Sequence, residues 1–286
     1  MGKTGLVLEG GAMRGIFTAG ALDYLLEKDI NFDYVVGVSA GSGNAVNFVS
    51  RQFGRTKQII THENAESYYG MKQLIKHGRI LNLHTLVTDY ALNQIPYDFD
   101  TFFSSKTECE SVVVNCETAS VEYKGGYKDK DEFFKYNIAS CSLPFICSPM
   151  EINGHHYLDG SIIDSIPVKR AVEKGCDKIL VILTKPEGER PTDYSKARRA
   201  VKKYYSKYPL LADVMANRRD AYEEQDEYMH ELEAEGKVFI LRPDVQKIKH
   251  FEPSTEKLLN CYDYGYHMME EYYDAFLDFM ADDEEE

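Results

Sequence analysis

The chain has 286 residues, 43% of them hydrophobic and 28% charged, and this balance is typical of a folded globular protein. Its formal net charge of -14, from 33 Lys and Arg against 47 Asp and Glu, argues against a general attraction to nucleic acid or to anionic membranes. No apolar run reaches the roughly 18 residues that cross a bilayer, and the first run is too short for a secretory signal. We therefore expect a cytoplasmic protein whose contact with membranes is peripheral.

The first part of the chain alternates between strand and helix patterns. An apolar run at residues 5–8 predicts a buried strand, and apolar residues at helical spacing predict a helix over 16–28. A second strand is predicted at 34–38 and a second helix at 43–53. This order favours an α/β fold with a parallel sheet that helices cover on both faces.

Three more strands are predicted later in the chain, at residues 111–116, 178–184 and 237–241. The stretch at about 186–235 opens with PEGERP, which predicts a loop, and continues as a helical excursion. A C-terminal strand and helix then occupy about 237–286 and end in an acidic tail. No linker or repeat forces a boundary, so we expect a single domain over 1–286.

The helical excursion concentrates positive charge in an acidic protein. A solvated helix face would account for this concentration, and so would a platform for phospholipid or another anionic partner. The basic residues are Lys196, Arg198, Arg199, Lys202, Lys203 and Lys207.

A glycine-rich turn, GGAMRG at residues 10–15, separates the first strand from the first helix. Backbone N–H groups in such a turn attract negative charge, either a phosphate or an oxyanion that exists only during reaction. A dinucleotide site is disfavoured because Ala12 replaces the middle glycine of G-x-G-x-x-G and because no acidic residue closes the second strand. The lysine of a P-loop is also missing.

The second strand ends in GVSAG at residues 37–41, which fits the G-x-S-x-G pattern of a nucleophile elbow. Small residues at Gly37 and Gly41 relieve crowding at the strained turn that presents Ser39 above the sheet edge. Since a free hydroxyl is a poor nucleophile at neutral pH, Ser39 needs a base. The carboxylate candidate is Asp159 in YLDGS, followed by Gly160, although Asp-Gly is also a common plain turn.

The histidines offer no comparable context. His155 and His156 lie in INGHHYLDG, a predicted hairpin, and are expected to be exposed. A Ser-Asp-His triad that uses His230, His250 or His267 stays open at this point.

The motifs GGAMRG, GVSAG and LDGS, in this order and each at a strand end, resemble the signature blocks of the patatin-like phospholipase family in its bacterial form. The resemblance extends through residues 139–184 and covers about 5–184, while the remaining residues match loosely. It implies a three-layer α/β/α fold with a central, mostly parallel sheet.

The resemblance also implies a Ser-Asp dyad, with Ser39 as nucleophile and Asp159 as the group that accepts its proton. Arg14 would reinforce the positive potential beside the oxyanion. The implied backbone donors are those of Gly10, Gly11, Ala12 and Met13.

The implied activity is hydrolysis of carboxylic esters of phospholipids, lysophospholipids or related lipids through an acyl-enzyme, without a cofactor or metal. Glu9 before the two glycines and Ala12 as the third small residue depart from the family's loop. A non-catalytic lipid-binding or regulatory protein on the same fold is therefore the alternative.

Overall fold

A mostly parallel β-sheet forms the centre of the structure, a computed structural model that describes residues 2–61 and 83–281, apart from the side chains at 84–86. Within these residues the sheet has eight strands. They are β1 (Lys3–Leu8), β2 (Tyr34–Val38), β3 (Glu108–Asn115), β4 (Ser120–Gly125), β5 (Met150–Ile152), β6 (His155–Asp159), β7 (Cys176–Ile182) and β8 (Val238–Leu241).

The parallel part of the sheet has the order β3-β2-β1-β7-β8. Both β4 and β6 run antiparallel to β3, and β5 completes an antiparallel hairpin with β6. The predicted α/β fold class with a mostly parallel sheet is confirmed. The antiparallel strands were missed, except for the hairpin that includes His155 and His156.

Helices connect the strands and pack on the sheet. In chain order they are α1 (Gly15–Glu27), α2 (Ala40–Val49), α3 (Arg55–Thr61), α4 (Leu83–Asp89), α5 (Phe99–Ser104), α6 (Lys130–Ser140), α7 (Val168–Glu173), α8 (Arg198–Tyr204), α9 (Leu211–Ala216), α10 (Arg218–Ala234), α11 (Thr255–Glu271) and α12 (Tyr273–Met280). In the described part of the chain, no helix combines the length and the apolar character that a membrane span requires.

The predicted bounds differ from the observed ones at the second helix. We expected residues 43–53, but α2 begins directly after Ser39 and ends at Val49. The early start reflects the sharp turn at the serine, which passes from strand to helix without an intervening loop. The early end coincides with Arg51, whose φ of 58° cannot belong to a right-handed helix.

Alternating side chains of the central strands reach the two faces of the sheet. On β1, Leu6 and Leu8 join a core with α1 and α2, whereas Val7 joins a core with Val168 of α7 and Met229 of α10. This two-residue period is what a strand with helices on both sides requires.

The closest helix contact joins the two ends of the chain, where α1 crosses α11. A Cβ added to Gly20 would lie 2.0 Å from the backbone oxygen of Tyr262, and one added to Gly265 would lie 2.0 Å from the backbone oxygen of Phe17. The two helices can approach this closely only because glycine occupies both positions. Tyr262 also donates a hydrogen bond from its hydroxyl to the buried Asp23 of α1, at 2.7 Å.

The methyl group of an alanine in place of Gly20 should therefore push α11 away from α1. We expect Gly20→Ala to lower the free energy of unfolding by about 1 to 3 kcal/mol, the usual cost of overpacking, as measured by urea denaturation. Gly43→Ala is the matched control, since Gly43 is also helical and its added Cβ would meet no atom within 4 Å. It should be neutral or stabilising. Equal stability of the two variants would contradict this account of the helix crossing.

Candidate active site

The turn after β2 holds Ser39 in a conformation that few residues other than glycine adopt. Its φ is 57° and its ψ is -125°. A Cβ on Gly37 would lie 2.3 Å from the Gly41 carbonyl oxygen, and a Cβ on Gly41 would lie 2.3 Å from the Leu8 carbonyl oxygen. The two glycines are thus required because the turn brings β1, β2 and the start of α2 into backbone contact.

The backbone of Ser39 is fixed by the end of α6. The Ser39 N–H donates to Ser140 Oγ at 3.0 Å, and Cys141 Sγ donates to the Ser39 carbonyl at 3.2 Å. Ser39 itself is 4% exposed. Its strained turn is therefore buried and held from both sides, as backbone strain at a functional position requires.

The loop after β1 lies beside this turn. Gly10, Gly11 and Ala12 line one cavity together with Ser39. In the described part of the chain, their three N–H groups donate to no protein acceptor. The Met13 N–H, by contrast, donates to the His250 carbonyl at 3.1 Å. Of the four backbone N–H groups expected to serve as oxyanion donors, three therefore lack a protein acceptor in the described residues.

Arg14 is buried behind the same loop. Its Nη1 donates to Glu189 Oε1 at 2.5 Å, and its Nε has no partner in the described residues. The positive charge of Arg14, which we expected to lie beside the oxyanion, is thus partly compensated by Glu189.

Glu9, which departs from the family's pattern, anchors the loop. Its side chain is fully buried and accepts a hydrogen bond from the Thr184 N–H at 2.6 Å and from the Tyr222 hydroxyl at 3.0 Å. It also forms an ion pair with the ammonium of Lys185, which is itself buried. Since Thr184 and Lys185 follow β7 and Tyr222 lies on α10, Glu9 fixes the start of the glycine loop to two other elements.

Asp159 meets the end of β2 because β6 runs antiparallel to β3. On β3, Val112 pairs with Val38 and the next residue, Val113, pairs with Asp159. The C-terminal ends of β2 and β6 therefore face each other, and Ser39 and Asp159 are brought together there. Gly160 allows the approach, since a Cβ at this position would lie 2.5 Å from the Val112 carbonyl oxygen.

The carboxyl group of Asp159 has one occupied and one unoccupied oxygen. Its Oδ1 accepts from the Ser161 N–H at 2.8 Å, while the buried Oδ2 has no hydrogen-bond partner in the described residues. Burial raises the pKa of Asp159 above its usual value, and hydrogen bonding from the nearby Ser39 and then from Ser161 opposes this shift. The Ser39 hydroxyl thus lies near the carboxyl group, but it is not oriented in a full hydrogen bond, as is common in catalytic sites without substrate.

Of the three histidines considered for a triad, only His250 reaches the cavity. His230 is paired with Glu233, and the exposed His267 is paired with Glu270. Among the described residues, no histidine forms a hydrogen bond with Ser39 or Asp159. No motif indicated that residues later in the chain, such as Lys185, Arg218 and Phe251, would line this cavity.

Two cavities meet at the elbow. The cavity with Ser39, which we call the polar cavity, has a volume of about 280 Å³ and a mixed lining, in which Ser161, Lys185 and Arg218 are among the polar residues. The other has a volume of about 210 Å³ and begins at Ala40, the residue after Ser39. Apolar side chains dominate its lining, among them Val46, Ile59, Ile60, Leu83, Val87 and Phe133. Within the described residues, neither the cavities nor any other part holds a cluster of side chains suited to a metal ion.

The fold and this site define an α/β protein with a nucleophile elbow, a buried aspartate beside it and a glycine loop that lines the same cavity as the serine. The chain belongs to the patatin-like phospholipase family, whose model matches residues 6–172. A second model, described as a domain of unknown function (DUF6363), matches residues 208–281.

Curated relatives match the first two thirds of the chain. The uncharacterized protein YjjU of Escherichia coli is 33% identical over 190 residues, which are 65% of this chain and 53% of YjjU. Lysophospholipase NTE1 of Saccharomyces cerevisiae is 26% identical over 193 residues, which are 62% of this chain and 10% of NTE1. The chain thus spans about half of one relative and a small part of the other.

Among solved structures, VipD from Legionella pneumophila overlays with a TM-score of 0.49 at 14% sequence identity. The overlay covers 96% of this chain and 67% of VipD. We draw no argument from so distant a likeness.

The raised pKa of Asp159 leads to a prediction about activity and stability together. For Asp159 to act as the base that we expect, it must be ionised, so activity should fall as the pH drops through a pKa above the usual value of 3.8. The folded state binds this proton more tightly than the unfolded state, so stability falls as the pH rises from the usual pKa to the raised one, and the loss is complete above the raised pKa. At neutral pH, Asp159→Asn should therefore lower kcat by roughly 10²- to 10⁴-fold and raise the melting temperature.

Asp164→Asn is the control for this experiment. Asp164 is also buried, and burial raises its pKa to about 6, but its carboxylate bonds the Tyr123 hydroxyl and not the serine turn. Its replacement should leave kcat and the acid limb of the pH profile in place. A loss of activity in this variant equal to that of Asp159→Asn would show that a buried aspartate in this region matters for the fold alone.

Proposed function

We propose that this protein hydrolyses carboxylic esters of lipids by acyl transfer through Ser39. The observation that carries the proposal is that the strained Ser39 turn shares one cavity with the free amides of Gly10, Gly11 and Ala12, while the unpartnered Oδ2 of Asp159 is buried near Ser39. These are a nucleophile, a base and donors for an oxyanion.

The proposed reaction has two steps. Asp159 accepts the proton of the Ser39 hydroxyl as its oxygen attacks the ester carbonyl, and the loop amides stabilise the tetrahedral oxyanion. Collapse breaks the bond to the leaving alkoxide, which takes the proton from Asp159 and departs as the alcohol, and an acyl-serine remains. Asp159, ionised again, takes a proton from a water molecule as its oxygen attacks the acyl-serine, and returns that proton to Ser39 Oγ when the fatty acid leaves.

The two cavities support a lipid as the substrate. An acyl chain bound in the apolar cavity would place its carbonyl at the elbow and its alcohol portion in the polar cavity. Among the described residues that line the apolar cavity, only Arg55 carries a formal charge. The name of NTE1 points to lysophospholipids, and phospholipids and related esters remain within the proposal.

We further propose that one domain spans the chain, because residues beyond the patatin match complete the same structural unit. β8 extends the sheet beside β7, and α11 packs on α1. The cytoplasmic location stays a prediction.

Labelling with a fluorophosphonate tests the proposed nucleophile directly. We expect intact-mass analysis to show one adduct that peptide mapping assigns to Ser39, and we expect it to form far more slowly in Asp159→Asn because the base is missing. Ser42→Ala is the matched control, since Ser42 is a buried serine of the same turn that bonds Ser111 and Asn137 instead of lining the cavity. It should be labelled like the wild type. Absence of an adduct on a folded protein would favour the non-catalytic lipid-binding role.

The basic segment at 196–207 is also proposed to bind anionic lipid surfaces. All six of its basic residues are exposed, and Tyr204 in the same segment is 63% exposed. The Tyr204 ring packs against Phe145 at 5.0 Å between centroids, and the neighbours of Phe145, Pro144 and Ile146, line the polar cavity. Exposed cations and aromatic rings thus lie together near the entrance to Ser39.

Charge reversal tests this surface. Lys202→Glu combined with Lys203→Glu should weaken binding to phosphatidylserine-containing vesicles by more than tenfold, since each basic residue contributes about 1 kcal/mol near an anionic surface. Lys28→Glu combined with Lys106→Glu is the control, because both lysines are exposed and stand before the N-terminal ends of β2 and β3, at the opposite edge of the sheet. If co-sedimentation shows the same loss for both pairs, net charge and not this segment determines binding.

A further inference from the structure

The polar cavity has a positive lining in a strongly acidic protein. The chain carries 47 Asp and Glu residues, yet the side chains that line this cavity in the described part include Lys185 and Arg218 and no carboxylate. Its hydroxyl groups, such as that of Thr192, add hydrogen-bond donors. A cavity so lined, and open to Ser39, suits an anionic portion of a ligand.

The charges of the two cations are compensated differently. The ammonium of Lys185 pairs with the buried carboxylate of Glu9, so Lys185 offers remaining N–H donors but little net charge. Arg218 has no carboxylate within ion-pair distance among the described residues. Its positive charge is therefore not neutralised by a direct ion pair, although it also favours the ionised form of the buried Asp159.

The guanidinium of Arg218 is also held in place. Its Nε donates to the Ser161 carbonyl at 2.8 Å and its Nη2 to Ser161 Oγ at 3.1 Å. Its Nη1 has no protein partner in the described residues, and the side chain is only partly exposed. Two bonds thus orient the planar group at the cavity wall and leave a charged edge available, an arrangement suited to a phosphate oxygen.

The neighbouring His250 reports the same positive potential. Crowding of its ring by protein atoms lowers its pKa below the usual value, and the positive charges of Arg14, Lys185 and Arg218 lower it further, opposed by Glu189.

We propose that Arg218, assisted by Lys185, forms a subsite for the phosphate group of the ester substrate, so that a phosphorylated monoacyl lipid is bound with its phosphate in the polar cavity and its acyl chain in the apolar one. This inference rests on the proposed hydrolysis at Ser39. It gives a role to the segment of unknown function at 208–281, because Arg218 belongs to that segment.

A pair of substrates that differ only in the phosphate tests the subsite. Lysophosphatidic acid and monoacylglycerol of the same short acyl chain are compared as monomers, and the measured quantity is the ratio of their kcat/KM values. In Arg218→Gln we expect this ratio to fall by roughly 10- to 100-fold, the size of a lost hydrogen bond to a charged group. In Arg219→Gln, which removes the same charge from the exposed neighbouring residue, the ratio should not change.

Arg218→Lys separates charge from the contacts to Ser161. Lysine keeps the charge but cannot form both bonds to Ser161, so an effect transmitted through Ser161 to Asp159 would slow both substrates in both Arg218 variants and leave the ratio unchanged. We expect Arg218→Lys to retain most of the ratio. A ratio that is unchanged in Arg218→Gln, or that falls equally in both variants, overturns the subsite.

Free phosphate is the other source of the same chemistry. If inorganic phosphate alters monoacylglycerol hydrolysis by the wild type but not by Arg218→Gln, while the substrate ratio is unaffected by the substitution, then Arg218 binds free phosphate and the substrate subsite is overturned. Full hydrolysis of both substrates by Ser39→Ala would instead overturn the proposed function, whatever the ratio. The two failures are thus distinguishable.

Discussion

The buried carboxylate of Glu9 is the interaction on which the geometry of the site depends. Glu9 directly follows β1. Its partners lie after β7 and on α10, so one side chain joins the centre of the sheet to the C-terminal part of the chain. Removing one member of a buried ion pair typically costs about 3 to 5 kcal/mol, because the other charge is left buried and unpaired. Because breaking this pair is costly, Glu9 holds the following glycine loop, with its three free amides, at the cavity that contains Ser39.

The features predicted from the sequence are those that depend on local backbone geometry. The elbow could be recognised because a serine turn between a strand and a helix requires small neighbours, and these neighbours, Gly37 and Gly41, lie within two residues of Ser39 in the sequence. The βαβα start of the fold was predictable for the same reason, since its strands and helices are short-range patterns. The role of Glu9 was not predictable, because its partners lie far along the chain and no residue near Glu9 in the sequence indicates them. Arg218 was missed as a cavity residue because a polar helical stretch does not reveal which residue faces a distant loop.

The two cavities divide the environment of Ser39 into unlike halves. On one side, Ala40 opens into a space lined mainly by aliphatic and aromatic side chains, and on the other the glycine loop faces hydroxyl groups and cations. An ester of a long-chain acid has the same division, with its carbonyl between an apolar chain and a polar alcohol. The elbow stands at the boundary, so the protein can align such a molecule by solvation preference before any specific contact is made.

The hydrogen bond from the Met13 N–H to the His250 carbonyl determines how late during translation the glycine loop can be fixed. The glycine loop and the serine turn leave the ribosome early, whereas the residues that fix the loop, Tyr222 and His250, are translated much later. A growing chain can form the first strands and the elbow, as N-terminal parts commonly do, but its loop has no anchor. The geometry of the site therefore arises only after residues 222 and 250 have been translated, and shorter translation products carry Ser39 beside a glycine loop that is not yet anchored.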